Sequence, residues 1–207
     1  MSKFPEPPSI AALAGIPPEI REVPVGEVLW RLYFRGGPHA TFWNTFRSFG
    51  PTAARFDHQV PPPSLQVRRV LYAALEGPTC LAEVFQDIRV IDRAARDPWL
   101  VGFELIRPLI LLDLTGAWPT RAGASMALST GPRPRARRWA QIMYEAYPEV
   151  QGLLYPSSMH GNRAAIALWD RGGGAMPPMP IFHRPLLDPA LLPVLSRVAR
   201  SIGYGLV

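Results

Sequence analysis

Proline punctuates this chain so heavily that only a few stretches can form uninterrupted backbone ladders. A proline has no amide proton and holds φ near −65°, which bars it from central strands and from helix interiors. The 25 prolines gather at Pro5 to Pro8, Pro61 to Pro63, Pro132 and Pro134, and Pro177 to Pro180. Regular structure must therefore fall between these groups, joined by long, well-defined connections.

The runs between them can be read in order. Residues 1–26 form a Pro-rich arm with one helical turn near residues 9–16. Val28 to Phe34, apolar and free of Gly and Pro, reads as a strand. Residues 36–66 carry turn signals throughout and are expected to be an irregular excursion, which is uncommon unless it has a function. Val70 to Ala74 is a second strand, followed by a turn at Glu76 to Pro78 and a helix. Thr79 is the expected N-cap of that helix, and Cys80, Leu81, Val84, Phe85 and Ile88 form its apolar stripe. Leu100 to Ile106 and Leu109 to Leu114 are strands around Arg107-Pro108, which makes a bend or a hairpin. Arg133, Arg135, Arg137 and Arg138 lead into a helix whose Trp139, Ile142, Met143 and Ala146 share a face. Gly152 to Tyr155 and Ala164 to Trp169 are short strands. Asp188 with Pro189 starts a last helix, which bears Leu192, Leu195, Val198 and Ile202. Strands do not alternate strictly with helices, so the expected class is α+β: a single domain with a mixed, largely antiparallel sheet flanked by helices. A length of 207 residues suits one domain, with the arm at 1–26 and the body at 27–207.

Charge narrows the chemistry. The net charge of +6 and pI near 10.1 point to an anionic partner. Lys3 is the only lysine, so the other 21 of the 22 basic residues are arginine. That excludes Schiff-base and phosphate-loop lysine chemistry in the body. Codon usage in a GC-rich genome accounts for surface arginines equally well. The single Cys80 rules out an internal disulfide and reads as a small core residue. His39, His58, His160 and His183 lack the paired spacings of metal sites, so no metal is expected. The N-terminal MSKFPEPPSI has no apolar core of a signal peptide, and no apolar run approaches a membrane span. A cytoplasmic protein that meets no membrane is expected.

Four stretches carry the candidate chemistry: LWRLY around Arg31, RFDH at Arg55, VLYAALEGPTCLAEVF from Val70 to Phe85, and GLLYPSS ending at Ser158. Each member has two readings. Arg31 sits on the strand face opposite Trp30 and Leu32, as a ligand group or as a solvated charge on an edge strand. Arg55 is a ligand group or an exposed loop arginine. Tyr72 is a pocket aromatic or a core one. Glu83 lies well over 100° around the helix from the centre of the apolar stripe, which makes it a solvated first-turn acid on geometry alone. Ser157 and Ser158 after Pro156 fit a turn as well as a site, and His160 and Asn162 lie just downstream.

As an ordered set, these stretches resemble the RES domain, named for an arginine, a glutamate and a serine, over roughly Val28 to Trp169. The resemblance implies an NAD-consuming toxin of a bacterial toxin–antitoxin pair with an ADP-ribosyltransferase-like core. Carried over, Arg31 and Arg55 would hold the pyrophosphate or nicotinamide end of NAD and Tyr72 would line the pocket. Glu83 would be the catalytic acid residue, with Arg31 and Ser157 beside it, and Ser157 would orient the ligand. AARFD stands where the family commonly has GGRWN, and Ala74 replaces a frequent second aromatic. Such residue types suit the reaction. Cleaving the nicotinamide–ribose bond passes through an oxocarbenium-like centre that a carboxylate stabilises. Arginines clamp a pyrophosphate, and a helix N-terminus favours an anion. The acceptor of the ADP-ribose stays open between water, phosphate and a protein side chain. The resemblance also implies a cognate antitoxin that occludes the site. Other readings are a non-catalytic RES-like partner module and a basic nucleic-acid-binding domain. The arginines at 133 to 138 lack the interleaved aromatics and motif of the latter, and they suit a solvated helix lead-in or a docking surface for an acidic antitoxin.

Overall fold

The structure, a computed structural model, describes residues 3–207. Met1 and Ser2, the first residues of the expected arm, lie outside the described residues. In chain order the elements begin with α1 (Ile10–Ala14), β1 (Ile20–Val23), β2 (Val28–Phe34), β3 (Arg47–Gly50), β4 (Ser64–Ala74) and α2 (Gly77–Val84). They continue with β5 (Val90–Ile91), β6 (Pro98–Glu104), β7 (Leu109–Asp113), α3 (Trp118–Arg121), α4 (Ala127–Thr130) and α5 (Arg133–Ala146). The last are β8 (Gly152–Pro156), β9 (Ala164–Trp169), β10 (Phe182–Pro185), α6 (Leu192–Ile202) and β11 (Gly205–Leu206).

The main sheet runs β1-β7-β8-β9-β4-β2-β6-β10, with β3 beside β4. Of its pairings only β7 with β8 is parallel. A parallel pair needs a long crossover, and α3, α4 and α5 lie in the chain between those two strands. The α+β reading therefore holds, with a mixed, mostly antiparallel sheet and helices packed on it. Residues 107–108 make a bend rather than a hairpin, because β6 pairs with β2 and β10 while β7 pairs with β1 and β8.

One feature of the register positions the site. β2 pairs with β6 along its whole length, and β4 pairs with β9 from Val70 to Ala74. β2 and β4 share only the pair Trp30 with Ala74, so the two strands meet at one corner and part. The chain leaves that corner straight into α2. Three apolar clusters fill the layers: one under α5 around Trp118, Trp139, Met143 and Trp169, one on the sheet around Leu29, Leu71, Phe103 and Ile166, and one beneath α2 and α6 around Leu32, Cys80, Phe85 and Leu195.

Several local expectations shift. Pro132 and Pro134 do not mark a loop; Pro132 precedes α5 and Pro134 lies in its first turn, where a missing amide proton costs nothing. The same tolerance lets α2 start at Gly77 with Pro78 inside it, so Glu76 and not Thr79 is the N-cap. Ile88 lies beyond the end of α2 and is exposed. Within the expected arm, β1 is an edge strand of the sheet, and the segment from Phe4 to Ile16 packs on α5. Phe4 and Leu13 are buried, Trp139 Nε1 donates to the Pro5 carbonyl at 3.0 Å, and Tyr147 donates to the carbonyls of Leu13 and Ile16 at 2.9 Å. Among the described residues, no helix is long and apolar enough to cross a membrane.

Candidate active site

A cleft of about 320 Å³ opens near the parting of β2 and β4. Leu32 of β2, Tyr72 of β4, Glu83 of α2, Tyr155 of β8, Arg133 at the start of α5 and Arg55 from the loop after β3 all line it. This is a concave, largely apolar site with a few polar groups converging on it, near the small end of ligand pockets.

Glu83 is half-buried and faces this cleft, not solvent. The sequence expectation fails for a local reason. Thr79 and Glu83 are four residues apart, hence on one face of α2, and that face is covered by the turn joining β8 to β9. Thr79 Oγ1 and His160 Nδ1 lie 2.9 Å apart, and Ser157 Oγ donates to Glu83 Oε1 at 2.5 Å. An apolar-stripe argument finds only the faces covered by apolar neighbours. Ser157 is itself fully buried, and its Oγ accepts the amide protons of Met159 at 3.2 Å and His160 at 3.1 Å. With those donors directed at its oxygen, the hydroxyl proton is left to point at Glu83. Burial raises the pKa of Glu83 above the ordinary carboxylate value, against the lowering effects of the Ser157 hydrogen bond and the charges of Arg55 and Arg133.

The Tyr72 side of the cleft is held in place by Asp57, a residue quoted above within RFDH but not singled out. Its carboxylate is wholly buried and accepts from Arg47 Nη2 at 2.5 Å, from the Thr52 amide at 2.6 Å and hydroxyl at 2.8 Å, and from Tyr72 at 2.9 Å. The Tyr72 hydroxyl also accepts the Phe56 amide at 3.2 Å. Tyr72 is therefore a pocket aromatic held by its polar end, with its phenol pushed well above 10 by burial. Arg55 is half-buried and donates to the Gly131 carbonyl at 2.5 Å; burial, followed by the charge of Arg133, lowers its pKa.

Arg31 does not line the cleft. It is 8% exposed, donates through Nη2 to the Thr45 carbonyl at 3.4 Å, and has no partner for its buried Nε. Burial lowers its pKa to about 10, so it stays charged at neutral pH. The solvated edge-strand reading is wrong, because the side chain is buried and its guanidinium reaches the Thr45 carbonyl in the segment between β2 and β3. Cys80 does line the cleft, but burial pushes its thiol up to about 12, which removes thiolate chemistry. Among the described residues, no group of three or more His, Cys, Asp or Glu could hold a metal ion.

The arginine run divides. Arg135 and Arg138 form ion pairs with Glu6 of the arm, at 3.0 and 2.6 Å. Arg137 donates to the Ala54 carbonyl at 3.5 Å. Arg133 turns into the cleft, where Nη2 donates to Gln86 Oε1 at 2.8 Å. The run is thus inside the helix and largely committed within the chain, which weakens both the solvated lead-in and the nucleic-acid surface. Sequence reasoning missed Arg133, Tyr155 and Asp57 as members of the site. The signals for them were the isolated arginine at the head of the run, the tyrosine of GLLYPSS, and the aspartate of RFDH.

The comparisons agree with this architecture. Comparison with curated proteins finds no match. Among solved structures, a chain in the crystal structure of the M. tuberculosis MbcT–MbcA toxin–antitoxin complex shares the fold, with a TM-score of 0.57 at 17% sequence identity over 91% of this chain and 96% of that one. Residues 28–186 match the model of the RES domain, a span from the start of β2 to just past β10 that takes in the cleft. On that match, which extends over well more than half of the sequence, the chain belongs to the RES domain family.

Proposed function

We propose that this chain is the toxin of a toxin–antitoxin pair and that it cleaves the nicotinamide–ribose bond of NAD in the cleft around Glu83. The observation that carries the reading is Glu83 itself: a carboxylate in a small, largely apolar cleft, oriented by a buried serine, with two guanidinium groups and two phenols around it. Membership of the RES domain family and the fold shared with a chain of a toxin–antitoxin complex support it.

In the proposed reaction the glycosidic C–N bond breaks, its electron pair leaves with nicotinamide, and positive charge develops on the ribose. Ionised Glu83 stabilises that charge, and does so more strongly in a largely apolar cleft than it would in bulk water. Ser157 is a positioning residue for Glu83. Tyr72 and Tyr155 supply aromatic surface, and Arg55 meets the anionic pyrophosphate. Arg31 adds positive potential from behind the cleft. An acceptor then attacks the ribose: water, phosphate or a protein side chain. A cognate antitoxin would silence the protein in the cytoplasm by covering the cleft.

The test is incubation of the purified chain with labelled NAD, with and without phosphate and cell extract, followed by identification of products. Free nicotinamide from the parent and none from Glu83→Gln is the expected result, and the labelled product separates the three acceptors. Intact NAD in every mixture, or equal turnover by Glu83→Gln, would overturn the reading.

A further inference from the structure

We propose that Arg133 is a substrate-binding residue, pairing with Arg55 across the cleft to grip a diphosphate. This rests on the reading of the cleft as the substrate site. The two arginines come from distant segments, the loop after β3 and the start of α5, yet both line the same small volume. Their charges repel, and Arg133 contributes to depressing the pKa of Arg55 after burial has done so. Two guanidinium groups facing one cleft repel each other, and an anion bound between them relieves that repulsion. Glu83 offsets this charge in part, as one carboxylate beside two guanidinium groups with one oxygen tied to Ser157. Asp87 also lines the cleft, 3.8 Å from Arg133, but is 83% exposed and well screened.

Donor capacity points the same way. A guanidinium has five N–H donors in a planar fork. Arg55 gives one bond to the Gly131 carbonyl and Arg133 gives one to Gln86, which in turn donates to the Glu83 carbonyl at 2.6 Å. The remaining donors of both forks suit phosphate oxygens, which arginine takes in pairs. The helix adds to the field. α5 has 14 residues, no acidic residue in its first turn and no side-chain cap, so its positive end is not neutralised locally. Arg135 and Arg138 are neutralised by Glu6 from the arm, which leaves Arg133 as the member of the run directed at a ligand.

The experiment uses the full purified chain with two probes, inorganic pyrophosphate and ADP-ribose, and calorimetric affinities at low and high salt. Arg133→Gln is expected to weaken both probes about tenfold or more, the loss of a charge-assisted hydrogen bond, and to make binding less steep in salt. Arg133→Lys should fall between it and the parent, since it keeps the charge and loses the fork. Arg135→Gln, on the same helix outside the cleft, should bind as the parent does. Arg133→Gln is half-exposed and should melt within a few degrees of the parent; if it does not fold, Arg133→Lys carries the comparison. Parent-like affinity in Arg133→Gln, equal losses in Arg133→Gln and Arg135→Gln, or no binding of either probe by the parent overturns the assignment. Arg133-dependent binding in a parent that leaves NAD intact would uphold the anion site while removing the NAD-cleavage reading.

Discussion

Two carboxylates shape the cleft, Glu83 by lining it and Asp57 by holding Tyr72 from behind, and their surroundings are opposite. Asp57 is wholly buried and accepts four hydrogen bonds, from Arg47, from the amide and hydroxyl of Thr52, and from Tyr72. Glu83 is half-buried and accepts one, from Ser157. A saturated carboxylate has no lone pair to offer a ligand; Asp57 fixes the loop that carries Arg55 and the ring of Tyr72. Glu83 lines the cleft with lone pairs to spare, which suits it to meet developing positive charge. Residue type alone does not separate a bolt from a reactive group. The number of partners already in place does.

That contrast can be broken by substitution, and the largest effect is expected at the bolt. Asp57→Ala should cost about 3 kcal/mol or more, because it strands the partly buried Arg47 and the polar groups of Thr52 and Tyr72. Thermal melting should show a large drop, with activity lost alongside it. Glu83→Gln should do the reverse: melting within a few degrees of the parent, and nicotinamide release reduced at least about a hundredfold. If the two variants lose stability equally, the distinction between the two carboxylates fails.

Ser157→Ala sharpens the comparison by removing the hydrogen bond that the Glu83 carboxylate accepts. The lost hydrogen bond lowered the pKa of Glu83, so its pKa should rise further. The acid limb of the rate profile should then move to higher pH, with a loss of roughly tenfold near neutrality. A profile that drops without moving would indicate a merely structural serine. The smallest effect is on stability. Burial raises the pKa of Glu83 in the folded protein above its ordinary 4.5. As pH rises from about 4.5, the unfolded chain gives up this proton first, so stability falls until the folded group has ionised as well. Glu83→Gln should abolish that part of the decline in denaturant midpoint, and a parallel curve for parent and variant would count against a buried, ionising Glu83.

Much of the fold was legible from residue order. Val28–Phe34 and Ala164–Trp169 form the strands that their apolar runs require, and Asp188 with Pro189 begins the last helical segment, its carboxylate accepting the Ala190 amide at 2.9 Å. The short elements β3, β5, β10 and β11 were not legible, because two to four residues make no periodic signal and are held by their neighbours. The site was half legible. Arg55, Tyr72, Glu83 and Ser157 could be named by order and type, and the structure brings them to one place, with Arg31 behind it. The reason for Glu83 facing inward could not be read, since it depends on a turn 74 residues away. The arginine run was equally opaque, because Glu6 of the arm decides which of its members remain available.

What the sequence by itself determined was where backbone could run uninterrupted, through proline and apolar patterning, and which cation it could bring to a site, through basic residues that are arginine throughout except for Lys3. Both are local or compositional properties, and these survive any arrangement of the chain. Only the tertiary structure decided which polar groups meet. The parting of β2 from β4 opens the cleft, the β8–β9 turn aims Glu83 into it, and Asp57 locks Tyr72 in place beside it. Hydrogen bonds act over about 3 Å, and partners so far apart in sequence come within that reach only once the sheet has formed.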